Sequence, residues 1–335
     1  MSEASVPRRR LWIGGVLILL LAVVGAVVLF GRSGGSGQGG DKTTLIVGDQ
    51  RGGVRSLLEA AGELDNVPYH IEWALFPAAS PLLEALNSGA IDIGGVGGPP
   101  FAFAYAGGAP IKVVFATRAV SGHGSKASAI VVSAKSPIRT WSDLKGKKLA
   151  TVRGSAGQDL ALTLFEKHGL KPNDVQWVYL SNSEAKAALE TGSADAWSSW
   201  GAYIGYAVLR DKARTLGNAR ELPAQAAFYA ASDKAIAGKR EQIQDFVNRL
   251  GRARIWVQSH RKEWAENLSR ETGLPVDVAH YYIDDIQARP VAIDATVERE
   301  QTQILERFRK VGLIDKVPSL NGAFDPSFKL SEAKP

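Results

Sequence analysis

The chain has 335 residues, of which 45% are hydrophobic and 22% charged, and its formal net charge is +6. This composition is typical of a folded globular protein, long enough for one large domain or two joined ones. The absence of cysteine excludes disulfides, a thiolate nucleophile, a cysteine metal site and a lipid-modified N-terminal cysteine. No long basic run or arginine–aromatic array points to nucleic acid.

Residues 1–40 differ in composition from everything after them. Three arginines at 8–10 precede an apolar run at 11–30, and a glycine- and serine-rich stretch follows up to residue 40. About 20 apolar residues can cross a bilayer as a helix, and arginines before them favour a cytoplasmic N-terminus. We therefore predict a short cytoplasmic tail, a transmembrane anchor and a flexible linker, with the remainder outside. A signal peptide cleaved at the small residues 24–26 is the alternative.

The next part of the chain alternates between strand and helix patterns, which is typical of a parallel-sheet lobe. Strands are predicted near residues 44–47, 70–75, 91–94, 111–115 and 129–132, and helices at 55–64 and 81–87. Pro137 ends regular pairing after the last of these strands, so the chain is expected to cross there into a second lobe.

The second lobe is predicted from strands at 148–152, 175–180 and 194–198 and helices at 157–168 and 183–190, with a return strand at 226–231. After Asp233 the pattern becomes helical and amphipathic, and this tail is expected to pack on the first lobe. The resulting division is residues 41–132 plus 230–335 for lobe 1 and 133–229 for lobe 2.

An octet at 85–92, Ala-Leu-Asn-Ser-Gly-Ala-Ile-Asp, recurs at 188–195 as Ala-Leu-Glu-Thr-Gly-Ser-Ala-Asp. In both copies a helical pattern stops at a glycine, which can close a helix in the left-handed conformation, and an apolar run follows. The repeat predicts two similar lobes facing each other across a cleft. The alternative is a coincidence between two ordinary α/β segments.

Five segments carry a family resemblance, at 48–52, 80–94, 143–150, 153–155 and 195–200. Together they resemble the periplasmic aliphatic sulfonate-binding proteins of ABC importers, which belong with the nitrate, taurine and thiamine-precursor binders. The resemblance covers about residues 44–330. It implies an α/β, type II periplasmic-binding-protein fold with two lobes, a two-strand hinge, a ligand in the cleft, and delivery to a membrane permease. Two departures concern the ligand: Trp200 is followed by Gly201 where an acidic residue and a proline are usual, and the often acidic position after Gly97 is Gly98.

A sulfonate is a permanent anion with three acceptor oxygens, so its site needs convergent donors and no proton transfer. Loops that open helices supply such donors. In the first lobe the candidates are Gln50 with Gly52 and Gly53, Ala79 with Ser80, and Gly97 with Gly98. Ser80 could cap its helix, contact the ligand or do both, and the glycine loops have ordinary turn chemistry as their alternative.

The second lobe offers Gly154, Ser155 and Ala156 before a helix, with an ordinary capped turn as the alternative. Trp197 and Trp200 point to opposite faces of a regular strand, so one is expected in the core and Trp200 at the ligand as an apolar wall. Arg118 follows a strand and is a candidate for a full positive charge at the site, unless it is a solvated surface arginine.

These observations predict a monomeric binder of a small organic anion, with no cofactor or metal, at the outer face of the cytoplasmic membrane or in the periplasm. Its partners would be an ABC permease and, through the N-terminal segment, the membrane. Nitrate, taurine or a thiamine precursor are alternative ligands. An enzyme of the desulfinase or pyrimidine-synthase type is a less favoured alternative, because the first needs a cysteine and the second a histidine motif not found here. A third possibility is a tethered sensor.

Overall fold

A computed structural model describes residues 43–330. The predicted anchor and linker lie outside the described residues, and no helix within 43–330 is both long and apolar enough to span a membrane. The strands are β1 Thr44–Gln50, β2 His70–Phe76, β3 Ile93–Gly97, β4 Ile111–Ala119, β5 Ser128–Val132, β6 Lys148–Thr151, β7 Gln176–Tyr179, β8 Ala196–Trp200, β9 Arg214–Asn218, β10 Ala227–Ser232 and β11 Ala288–Val291. The helices are α1 Gly53–Ala60, α2 Ala79–Ser88, α3 Gly98–Ala106, α4 Ala156–His168, α5 Asn182–Thr191, α6 Ala202–Leu209, α7 Asp233–Gly238, α8 Arg240–Trp256, α9 Arg261–Thr272, α10 Val276–Ile283 and α11 Ala295–Lys310.

The strands form two sheets, with the orders β11-β4-β10-β3-β1-β2 and β7-β6-β8-β5-β9. In the first sheet β10 lies antiparallel between β3 and β4, and in the second β5 lies antiparallel between β8 and β9. Each of these strands enters its sheet directly after the chain has left the other sheet. The predicted fold, two α/β lobes of the periplasmic-binding-protein type, is therefore confirmed.

The chain crosses between the sheets earlier than the sequence indicated. Strand β5, which the predicted division places in lobe 1, pairs with β8 and β9 of the second sheet. Its alanine, isoleucine and valines are fully buried, and such an apolar run looks the same in sequence whichever sheet it joins. The two crossing segments pair with each other, since the Gly124 N–H donates to the Leu222 carbonyl and the Ala224 N–H to the Gly122 carbonyl, at 3.1 and 2.9 Å.

The repeated octet occupies the same place in both lobes. Its two copies end a helix at a glycine with positive φ, 72° after α2 and 76° after α5. The carboxylate of Asp92 accepts the Ile46 N–H of β1 at 2.7 Å, and that of Asp195 accepts the Lys148 N–H of β6 at 2.8 Å. The repeat thus joins the end of a βα unit to a strand of its own sheet, β1 in the first sheet and β6 in the second.

Helices α8 to α10 pack on the first lobe, as predicted for the tail. Phe246, Leu250 and Trp264 are almost fully buried in one core with Leu45 and Leu57.

Helix α10 also packs on α6 of the second lobe, where Val278 and Tyr281 lie against Gly205. Helix α11 likewise contacts both lobes. Phe308 packs in one cluster with Ala102 of α3 and Leu162 of α4. The Arg307 Nε donates to the buried Asp159 carboxylate of α4 at 2.8 Å. The C-terminal helix therefore ties the two lobes together beside the cleft.

Candidate functional site

A cavity of about 620 Å³ lies between the two lobes. Its walls come from the loops after β1, β2 and β3 in the first lobe and from those after β6 and β8 in the second. The carboxyl ends of parallel strands are where ligands bind in open α/β sheets. Because the wall is shared, a molecule held here would contact both lobes at once.

Within residues 43–330, five helices begin at the wall of this cavity: α1, α2, α3, α4 and α6. The first N–H groups of a helix have no intrahelical acceptor, and the helix dipole places partial positive charge there. The residues before α2, α3 and α6 are Ala78, Gly97 and Gly201, and none of them supplies a capping side chain. These helix starts together form a site suited to an anion.

Helix α1 is the exception, because the protein supplies its own anion there. The fully buried Asp49 carboxylate accepts the N–H groups of Val54 and Arg55 at 3.0 and 2.9 Å. Burial raises the pKa of Asp49 above its ordinary value, while these hydrogen bonds act in the opposite direction. A ligand anion would therefore bind at the other helix starts rather than at α1.

Five predicted residues of the first lobe line the cavity, namely Gln50, Gly52, Gly53, Ala79 and Gly97. The amide nitrogen of Gln50 donates one N–H to the Gly95 carbonyl at 2.7 Å, which leaves its second N–H and its acceptor oxygen for other partners.

Ser80 and Gly98 lie elsewhere. Ser80 lines an adjacent pocket of about 480 Å³, which shares Pro77 and Tyr203 with the cavity. Gly98 is buried against Gln301 and the Ala226 carbonyl, which a Cβ would approach to 2.7 and 3.1 Å. Its role in the structure is close packing.

Among the three candidates of the second lobe, only Ala156 lines the cavity. Ser155 is 2% exposed, and its hydroxyl donates to the Val152 carbonyl and accepts the Gln158 N–H. Gly154 has φ +67°, and a Cβ there would lie 2.4 Å from the ring of Phe103 in the other lobe. These two residues therefore shape the turn and the lobe contact instead of facing the cavity.

Arg118 does not line the cavity. Its guanidinium pairs with the Glu300 carboxylate through two nitrogens and donates to the Ala224 carbonyl at 2.8 Å. The partner is 182 residues away in sequence, and no local pattern could have indicated it. Arg118 holds α11 to the crossing segment.

Trp197 and Trp200 occupy the positions expected from strand geometry. Trp197 is fully buried, and Trp200 lines the cavity. Leu75 of the first lobe and Tyr203 of the second also line the cavity. These side chains give an anionic headgroup an apolar surface for its carbon skeleton.

Sequence reasoning missed the part of the cavity that the C-terminal helices supply. Arg254, Trp264, Thr272 and Tyr282, from α8, α9 and α10, line it. Burial raises the pKa of Tyr282, so its hydroxyl is a hydrogen-bond donor at neutral pH. The helical pattern predicted a buried face in this tail but carried no sign of which residues would reach the cleft.

In the part of the chain that the structure describes, no group of three or more His, Asp or Glu side chains is placed to hold a metal ion.

Comparisons with known proteins agree with this geometry. A family model described as NMT1/THI5-like matches residues 75–263. An aliphatic sulfonates-binding protein of Escherichia coli (strain K12) is 33% identical over 276 residues, covering 81% of this chain and 85% of that protein. The alkanesulfonate-binding protein SsuA from Xanthomonas axonopodis pv. citri, bound to MOPS, matches with a TM-score of 0.77 at 30% identity, covering 85% of this chain and 99% of that one.

A more distant likeness concerns the fold alone. The desulfurization enzyme DszB matches with a TM-score of 0.60 at 17% identity, covering 86% of this chain and 97% of that one. The relatives with higher identity named above are binding proteins. Because the family model matches residues 75–263, the chain belongs to the NMT1/THI5-like family. The match at 33% identity confirms its predicted resemblance to the aliphatic sulfonate-binding proteins.

Proposed function

We propose that this protein is an extracytoplasmic solute-binding protein that captures a small organic sulfonate in the cavity between its lobes and delivers it to an ABC permease. The observation that carries the proposal is the convergence of helix starts on one cavity, three of them without a capping side chain. N–H groups and helix dipoles bind an anion without needing it to be protonated. The sulfonate named for the relatives fits that requirement.

The chemistry of the cavity favours binding over catalysis. The chain has no cysteine, and no histidine is among the described residues that line the cavity. A thiolate or imidazole is therefore missing where a bond would have to be broken. We infer that the protein is not an enzyme and that its work is capture and release.

The lobes contact each other beside the cavity in a way suited to enclosing a ligand. The Tyr203 hydroxyl of α6 donates to the Pro77 carbonyl of the other lobe at 3.3 Å. The Arg51 guanidinium lies 4.5 Å from the centre of the same ring. Separation at the paired crossing segments would break both contacts and open the cavity, so ligand binding would shift the population toward the closed form.

The proposed location is the periplasm or the outer face of the cytoplasmic membrane. The apolar run at 11–30 would anchor or export the chain, and the glycine-rich stretch after it would give the lobes reach to a permease. The expected working form is a monomer that binds its ligand and the permease, without nucleic acid.

The test compares Ala156→Asp with Ala156→Asn, which differ in charge but hardly in size. Ala156 is the first residue of α4 and lines the cavity, so an acidic side chain there suits the helix but repels a bound anion. At about 5 Å and an effective dielectric constant of about 20, the repulsion is about 3 kcal/mol, or more than a hundredfold in Kd. Calorimetric titration with alkanesulfonates, taurine, sulfate and nitrate measures it.

The wild-type protein is expected to bind a sulfonate selectively, the asparagine variant to retain most of that affinity, and the aspartate variant to lose it. Equal affinity in the two variants would place the anion away from α4. Binding of nitrate or sulfate but of no sulfonate would overturn the proposed ligand class.

A further inference from the structure

We divide the cavity into two arms by the elements that line it, and the C-terminal helices α8, α9 and α10 line one arm. We call it the tail recess and define it by Arg254, Trp264, Thr272 and Tyr282, all of which line the cavity. Tyr229 of β10 also lines the cavity. The starts of α2, α3, α4 and α6, where we place the sulfonate, form the other arm.

Arg254 is the distinctive group of this recess. One terminal nitrogen of its guanidinium donates to the Tyr229 hydroxyl at 3.2 Å, and the guanidinium carbon lies 5.5 Å from the Trp264 ring centre. Its Nε is buried and has no hydrogen-bond partner among the described residues. These contacts hold the guanidinium in place and leave a donor unused.

No carboxylate in residues 43–330 is within ion-pair distance of Arg254. Two carboxylates line the same cavity, Asp49 and Glu271. Asp49 is committed to the start of α1, and Glu271 lies 3.9 Å from Arg270 on its own helix. A partly buried cation with neither a carboxylate nor full hydration is unfavourable unless something else supplies the negative charge.

The helix starts where we place the sulfonate are offset along the sheet from Tyr229, the hydrogen-bond partner of Arg254. Tyr229 pairs with Gly95, whereas α3 begins after Gly97. The two-residue step from Gly95 to Gly97 corresponds to about 7 Å along the strand, and the Tyr229 hydroxyl stands a ring length away from the strand. A ligand that fills both arms needs a second group for the guanidinium.

We propose that the ligand is a sulfonate carrying a carboxylate at the far end of its carbon skeleton, and that Arg254 binds this carboxylate. The proposal rests on the proposed function and specifies its ligand class. A guanidinium presents parallel donors that match the two oxygens of a carboxylate. The Tyr282 hydroxyl and the Trp264 ring line the same recess, whereas the Thr272 hydroxyl already donates to the Leu268 carbonyl at 2.6 Å.

The experiment measures Kd by calorimetry for matched ligand pairs, an unbranched alkanesulfonate and the ω-sulfocarboxylate of equal length, over chains of two to six carbons. The proteins are the full chain, Arg254→Gln, Arg254→Lys and, as a control, Arg51→Gln, which removes the exposed cation of the cavity. Far-UV circular dichroism and thermal unfolding establish that each variant is folded.

The wild-type protein is expected to bind the sulfocarboxylate at least tenfold more tightly than the alkanesulfonate at one chain length. Arg254→Gln should abolish this preference and change alkanesulfonate affinity less than twofold. Arg254→Lys should keep part of the preference, and Arg51→Gln should keep all of the preference. An equal loss for both ligands in Arg254→Gln would overturn the proposal, because Arg254 would then bind the sulfonate itself. Alkanesulfonate binding without any preference would overturn it and leave the proposed function standing, whereas no binding of any sulfonate would overturn both.

Discussion

The ion pair between Arg307 of α11 and Asp159 of α4 is expected to contribute strongly to stability. The Asp159 side chain is 2% exposed and that of Arg307 is 19% exposed. The carboxylate accepts from Arg307 Nε at 2.8 Å and from Gln225 Nε2 at 3.0 Å. Arg307→Met removes the charge but retains an apolar stem, which leaves a buried carboxylate with one neutral donor.

Breaking a buried ion pair from one side costs about 3–5 kcal/mol. Because water reaches part of Arg307, we expect the lower value, about 3 kcal/mol. For a chain of this size the melting temperature should then fall by roughly 4 °C. Thermal unfolding of the ligand-free protein by circular dichroism measures the change.

Two further variants make this result specific. Arg309→Met changes an exposed arginine on the same helix turn and should alter stability by less than about 0.5 kcal/mol. Adding Asp159→Asn to Arg307→Met removes the unpaired charge and should recover much of the loss. If Arg307→Met and Arg309→Met had equal effects, the assignment of the pair as a tie between the lobes would be refuted.

Three other changes test separate parts of the structure. Gly154→Ala should destabilise the protein by more than 1 kcal/mol beyond Gly169→Ala, because both glycines have positive φ but only at Gly154 would a Cβ meet a ring; urea unfolding of both variants compares them. Burial raises the pKa of Asp49, so the folded state favours the protonated carboxyl. The stability that this protonated form contributes is lost as pH rises from below 3.8 through the raised pKa. In unfolding experiments between pH 3 and 7 the wild-type protein should therefore lose stability relative to Asp49→Asn as pH rises, and a relative gain would contradict the assignment. Trp200→Ala should lower hexanesulfonate affinity about tenfold, from about 50 Å² of lost apolar contact, and leave methanesulfonate within twofold; equal effects on both ligands in calorimetry would remove Trp200 from the apolar wall.

Local patterns were enough to predict most elements and the relation between the lobes. The helix–glycine–strand units at 85–92 and 188–195 depend on residues close in sequence, and the structure has both, closed by Asp92 and Asp195. Strand β5 was assigned to the wrong side of the crossing because a fully buried strand carries no mark of its neighbours. What distinguishes the two sheets is pairing with distant strands.

The site was harder to predict, because its members are selected by contacts across long stretches of chain. Ser155 and Arg118 have the right residue types for an anion, but one caps its own helix and the other is paired with Glu300. Arg254 is one of several arginines on an amphipathic helix, and only the packing of α8 on the first lobe brings it to the cavity. Residue type and spacing cannot supply that information.

The position of β10 in the first sheet also determines the order in which the lobes can fold. Strands β5 to β9 are consecutive in the chain, so the second sheet has all its partners once residue 218 is available. In the first sheet β3 and β4 are held together through β10, which follows the entire second lobe. Until then their edges are unpaired and open to association with other chains. The second lobe should therefore gain amide protection first in pulsed hydrogen exchange during refolding, and any factor that keeps the chain from aggregating is needed most for strands β3 and β4.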